Sequence, residues 1–179
     1  MKTLPDLLDD HLSLLSIGLN PSLPSVQAGF YFANPRNRFW KALNNCHFLS
    51  QPIEPSLKSC HHLFKRYRIG FTDLVKRPTA GCKDLNANDY RTGSLHLQTV
   101  ICSTRPALIW FHGKLCCQKF VQYSDYKGSP VSWGLQSWKI DNLPVYVTPN
   151  PSPANAAFSL ADITDSYQQL FQVLKTTRC

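Results

Sequence analysis

The sequence predicts an α/β fold: a mostly parallel sheet carrying helices on both faces. Three observations lead there. Short, nearly uninterrupted apolar runs occur at 12–19 (LSLLSIGL), 106–111 (PALIWF) and 143–148 (LPVYVT), and such runs suit strands buried on both sides. Segments of helical spacing alternate with them, the pattern of βα units. No internal repeat or low-complexity linker divides the chain, so residues 1–179 are expected to form one domain with its core at about 12–175.

In chain order, the first run ends at Asn20-Pro21, a strand delivering a loop at its carboxyl end. Residues 36–49 space Phe39, Trp40, Leu43 and Phe48 roughly along one helix face, with Pro35 before the start. Ile69–Val75 reads as a short strand, followed by the loop KRPTAGCKDL. Asn88–Ser103 has helical spacing through Tyr90, Leu95, Leu97, Val100 and Ile101. PALIWF then reads as a central strand, after which Gly113-Lys114 opens a helix ending near Val121. Tyr126–Pro130 is a loop, Leu143–Thr148 a strand and Leu160–Leu174 an amphipathic helix. Ligands of such sheets bind at the carboxyl ends of the strands, where Asn20, Asp73 and Asn150 would sit.

Lys and Arg outnumber Asp and Glu by 19 to 11, a net charge of +8. An excess of that sign on a compact domain suits a polyanionic partner or merely a soluble surface. Asp6, Asp9 and Asp10 lie where a signal peptide would need a basic start. No stretch approaches the ~18 apolar residues of a membrane span. A soluble, intracellular, cytoplasmic protein is expected, associated with the nucleoid in a bacterium. The seven cysteines are irregularly spaced and include no CxxC pair, so reduced thiols are expected, and neither a metal nor a cofactor.

Four segments could carry chemistry. Gly18-Leu19-Asn20-Pro21-Ser22 projects a neutral amide from a rigid turn; Asn cannot act as a base near neutrality but can hold a water through its donor and acceptor, or the turn can do no more than turn. Gly29–Pro35 with Arg36, Asn37 and Arg38 sets aromatics beside arginines, as base stacking next to phosphate contact requires, although a capped core cluster has the same look. Thr72 and Asp73 end a strand with Lys76 and Arg77 beyond, and Asp73 could equally cap a turn. Three prolines stiffen Thr148–Ala156, as befits a loop that enters a duplex or a surface loop without a task. Cys116-Cys117 and His61-His62 lack a partnered base or metal spacing and read as structural. Gly113-Lys114 lacks the preceding glycine of a phosphate-binding loop.

Taken together and in order, GLNPS, FANPRNRFW, YRIGFTDLVKRPTAGCKDL, HGK at 112–114 and NPS at 150–152 resemble the mismatch-specific uracil- and thymine-DNA glycosylases of the uracil-DNA glycosylase superfamily, from about Leu14 to Leu174. The resemblance implies a three-layer α/β/α sandwich around a short, mostly parallel sheet. It implies that Asn20 positions the attacking water, that Phe32 stacks on a flipped base, and that the turn around Asn150–Ala156 enters the minor groove. Leu19, Ser22, Thr72, Asn150 and Ser152 are then expected around the base. Asp73 is expected in catalysis. Arg36, Arg38, Lys76, Arg77, Pro153, Ala154 and Asn155 are expected on DNA. Three departures stand out. Ser22 replaces a usual Gly, Asp73 a usual Asn or Lys, and Pro153-Ala154-Asn155 lacks the bulky Leu or Arg of relatives and looks like the loop of deoxyinosine-acting ones.

The expected activity is therefore monofunctional hydrolysis of a uracil-like base from duplex DNA by a monomer. No lysine replaces the water-positioning asparagine, so neither a lyase step nor a covalent intermediate is expected. Two alternatives stand beside it: a glycosylase for deaminated purines, and a non-catalytic nucleic-acid-binding domain using the same aromatic and basic groups.

Overall fold

The structure, a computed structural model, describes residues 3–177. Cys179, one of the thiols counted above, lies outside them. Five strands form one sheet: β1 (Leu14–Gly18), β2 (Ile69–Asp73), β3 (Leu108–His112), β4 (Gly134–Ile140) and β5 (Leu143–Thr148), in the order β2-β1-β3-β5-β4. All neighbours pair in parallel except β4, which is antiparallel to β5. β2 and β3 are buried at every residue, as is β1 over Leu14–Ile17, which explains the apolar runs around β1 and β3; Ser16, Thr72, Asp73 and His112 are the polar residues among them.

The helices are α1 (Leu23–Ala28), α2 (Phe39–Asn45), α3 (Leu57–Tyr67), α4 (Ala87–Thr104), α5 (Lys114–Tyr123) and α6 (Leu160–Thr177). Side chains alternate across the sheet, so Leu14, Phe71, Trp110 and Tyr146 join α2, α3 and α6 in one core. Leu15, Ile17, Ile109, Phe111, Val145 and Val147 join α4 and α5 in the other. This is the three-layer arrangement, with both sheet faces covered. The segment before β1 shields the β2 edge, where Leu7 and Phe71 exchange backbone hydrogen bonds of 2.9 and 3.0 Å.

The structure corrects the sequence reading at several elements. Helix α2 is shorter than 36–49: Arg38 is already its N-cap, and His47 beyond its end has φ 55°. Helices α1 and α3 are additional, each entered through a serine, Ser22 or Ser56, that accepts from the backbone N–H three residues on. Strand β4 is also additional. It joins β5 through Asp141 and Asn142, both with positive φ, 48° and 68°, the backbone of a tight hairpin turn.

Helix α4 runs so close to the chain leaving β2 that Gly93 has no room for a side chain: an added Cβ would lie 2.1 Å from the Leu74 carbonyl oxygen. In an open helix Gly→Ala stabilises by about 1 kcal/mol. Here the sign should reverse. Gly93→Ala should lower stability by ~2 kcal/mol or more, as overpacking against backbone does, and urea unfolding reads the difference.

Candidate active site

A cavity of about 520 Å³ opens at the carboxyl ends of the parallel strands. Its floor comes from one row of the sheet. Gly18 pairs with Asp73, while Ile17 pairs with Phe111 and so sets His112 on the other side of Gly18. Asp73 fits only because residue 18 lacks a side chain: a Cβ there would stand 2.3 Å from its Oδ1.

Asn20 is held by the continuation of the β1–β2 pairing beyond the sheet. Leu74, Val75 and Thr79 N–H groups donate to the carbonyls of Gly18, Leu19 and Pro21 at 2.9, 2.9 and 3.3 Å. The Asn20 Nδ2 donates to Thr79 Oγ1 at 2.8 Å and to the Arg77 carbonyl at 3.1 Å, and the Thr79 hydroxyl donates onward to the Gly81 carbonyl at 2.9 Å. A carbonyl can only accept, so the amide's orientation is determined. Its acceptor end, Oδ1, has no partner among the described residues and is what Asn20 offers the cavity it lines.

Phe32 forms a second wall. Its φ of 58° is a left-handed backbone that costs an L-residue roughly 1–2 kcal/mol. Packing imposes it: the ring stacks on buried Phe39 at 4.0 Å and 12°, and the next N–H, of Ala33, donates to Ser25 Oγ at 3.2 Å. Phe39 covers one face of Phe32, leaving the other to the cavity. Ser22 has φ −77° and uses its hydroxyl to cap α1, so this turn needs no glycine there.

The third wall is the loop between β5 and α6. Asn150 Oδ1 accepts from Ser152 N–H at 2.9 Å, and Asn155 Nδ2 donates to the Asn150 carbonyl at 2.9 Å. Leu19, Asn20, Ser22, Phe32, Asp73, Asn150, Ser152, Ala154 and Asn155 thus share one cavity. Exposed Pro153 lies outside its lining, and so does Thr72. Thr72 is buried, and its Oγ1 accepts from Lys76 Nζ at 2.6 Å.

The cations expected on phosphates are differently engaged. Lys76 is paired with Asp6 at 2.6 Å, and Arg77 with Asp89 at 2.6 Å. Arg38 turns inward to the carbonyls of Pro151, Ser152, Asn155 and Phe158. Arg36 is exposed beside the cavity arm. Three of the four therefore have donors occupied within the protein.

His112 was not singled out by sequence reasoning, although HGK was among the matching segments. A lone histidine ending an apolar strand carries no pattern of its own. It is 1% exposed, its Nε2 is 2.8 Å from Ser16 Oγ, and its ring edge meets Phe32 with centroids 5.0 Å apart. Nδ1 is buried without a hydrogen-bond partner among the described residues. Burial pushes the imidazole down to about 3, so it is neutral across the physiological range. Burial pushes Asp73 the other way, up to about 7, with Asp6 adding to the rise and Lys76 opposing it.

These two groups make opposing contributions to stability. Between about pH 4 and 7 the unfolded chain loses the Asp73 proton that the native state keeps, so stability falls as pH rises. Between about pH 3 and 6.5 the unfolded chain holds a His112 proton that the native state lacks, so stability rises. Each effect is on the order of several kcal/mol, and in the parent the two oppose each other. Asp73→Asn should therefore expose a urea midpoint that climbs from about pH 4.5 to 6.5, and His112→Gln one that declines over the same range.

Comparison with known proteins bears on the fold and the family. The solution structure of a Methanosarcina acetivorans protein, described as a candidate uracil DNA glycosylase, superposes with a TM-score of 0.63 at 21% identity, covering 97% of this chain and 98% of that one. At that identity the likeness speaks for the fold. The profile described as the uracil DNA glycosylase superfamily matches residues 5–175. This chain, with its asparagine turn after β1 and its proline-rich loop after β5 walling one cavity, belongs to the uracil DNA glycosylase superfamily.

Proposed function

We propose that the protein is a monofunctional glycosylase that extrudes uracil from mismatched duplex DNA and releases it by hydrolysis. The observation that carries this reading is the orientation of Asn20, whose donor end is tied to Thr79 and Arg77 and whose acceptor end is left for the cavity facing Phe32. A flipped base lies on the open face of Phe32, which offsets part of the few kcal/mol needed to unstack it. Asn20 Oδ1 accepts a hydrogen bond from the attacking water and aligns it on the sugar as the glycosidic bond breaks.

The leaving base carries negative charge, and preorganised donors are the main means of stabilising it. Asp73 is suited to that part in its neutral form. Below about 7 its carboxyl keeps a proton to donate toward a base carbonyl; above, the carboxylate can only accept and repels the developing anion. Arg36, exposed beside the arm that carries Phe32, and the loop residues Pro153, Ala154 and Asn155 meet the DNA backbone and groove. A cavity of about 520 Å³ also admits a bicyclic base, which together with the small residues of the 153–155 loop favours deaminated purines as the second reading. Matched duplexes holding uracil, thymine, hypoxanthine or xanthine opposite each base, cleaved by alkali after incubation, separate the two.

Asn20→Ala should reduce single-turnover base release by about 100-fold or more while duplex affinity stays within about twofold, because the amide acts on water and not on DNA. Release within threefold of the parent's rate would remove Asn20 from the reaction. For Asp73 the expectation is a pH profile: single-turnover rates of the parent should fall about tenfold per pH unit above about 7. The Asp73→Asn variant should lose that limb, and an unchanged limb would assign it to another group.

A further inference from the structure

We propose that Arg38 is a positioning residue that locks the loop after β5 into its duplex-entering form, so that it serves base extrusion and not bond cleavage. The inference rests on the glycosylase reading above and deepens it.

The loop 149–158 has no regular structure, and its prolines at 149, 151 and 153 cannot donate backbone hydrogen bonds. Beside the loop's own contacts among Asn150, Ser152 and Asn155, one side chain from 113 or more residues away ties its carbonyls together. The Arg38 guanidinium donates to the Ser152 and Asn155 carbonyls at 2.7 Å each and to that of Phe158, with Nε 3.4 Å from the Pro151 carbonyl. Its backbone N–H also donates to Pro151, at 3.0 Å. No carboxylate is among its described partners, so the group is bound by carbonyl dipoles alone. A planar fork of five donors can span four carbonyls from different parts of a loop, whereas an ammonium is a single point.

The residues flanking Arg38 give the clamp its consequence. Asn37 lines the cavity, and Phe39 is the ring on which Phe32 stacks. The same short segment thus fixes the stacking platform and, through Arg38, the loop that faces it. Carbonyls drawn inward to the guanidinium are also kept away from DNA phosphates. A loop that must displace a paired nucleotide works only if it is stiff before contact, because ordering it on binding would subtract from the energy available for unstacking. A single-stranded substrate has no partner strand to displace and meets the loop only as a wall of the cavity, which the internal Asn150 and Asn155 contacts still shape.

The test compares uracil in a duplex with uracil in the same oligonucleotide single-stranded, under single-turnover conditions with saturating enzyme. Extrusion is read independently by 2-aminopurine fluorescence beside the lesion, and folding by thermal denaturation. Arg38→Gln should slow duplex release about 30-fold or more and abolish most of the fluorescence rise, while single-strand release stays within about threefold. Arg38→Lys keeps the charge but not the fork and should move the same way, by about tenfold. Equal losses on both substrates, or unchanged duplex release, would overturn the proposal, as would failure of both variants to fold, which would make Arg38 a structural post. Absence of base release by the parent enzyme on either substrate would instead remove the hydrolase reading, and the fluorescence arm would still decide the role of Arg38.

Discussion

The pairing of β1 with β2 does not stop where the sheet does, and the site depends on that continuation. Gly18 meets Asp73 in register, and three further backbone hydrogen bonds run on to Pro21 and Thr79. Two loops that would otherwise wander are made to travel together. Only in that geometry do the Arg77 carbonyl and the Thr79 hydroxyl reach the Asn20 amide. Gly18 has a second task, since its missing side chain is the space that the Asp73 carboxyl occupies. Backbone pairing, made for reasons of strand chemistry, thereby sets the orientation of a side chain that a fold has no need to orient.

The polar groups of the floor run against the interest of the fold. A buried carboxyl and a buried imidazole with one unpartnered nitrogen are each expensive to remove from water. The left-handed Phe32 adds strain at the same place. Such features persist where the surroundings over-determine them, and here both cores do so: Phe39 and Trp110 press on the ring side of His112, and α4 and α5 close the opposite sheet face. The concentration of strain and unpaired polarity at the carboxyl end of the sheet is what separates this cavity from an ordinary cleft.

Much of the architecture was readable from residues alone, because burial on both faces leaves a direct trace. β1, β3 and β5 appear as apolar runs, β2 as a short strand ending in Thr72-Asp73, and α4 and α6 as long periodic segments. β4 left no such trace: it pairs along one side only, and its GLQSWKI sequence breaks the alternation, with polar Gln136 inward and Leu135 exposed. The Asp141-Asn142 turn was the available signal for that hairpin. Asn20 and Phe32 stood out through their turn and their aromatic arm. His112 did not, because one histidine in an apolar strand looks the same whether it caps a core or faces a ligand. The cations misled for a related reason. Sequence displays a charge but not its partner, and those of Lys76 and Arg77 lie 70 and 12 residues away.

That relocation of charge bears on how such a protein can recognise a duplex at all. With Lys76 and Arg77 in ion pairs and Arg38 turned toward carbonyls, the basic excess near the cavity serves first to build its walls. Long-range attraction survives this, since net charge acts over a Debye length of about 10 Å at moderate salt whatever the local pairing. Specific contact through these three cations is disfavoured, since a donor already engaged must break one hydrogen bond to form another. The balance therefore moves from phosphate neutralisation toward shape: a stiff loop, a held ring and a buried floor. Under the proposed glycosylase reading, a site built in this way would discriminate by whether a nucleotide can be turned out into it, and a mispaired base is cheaper to unstack than a paired one.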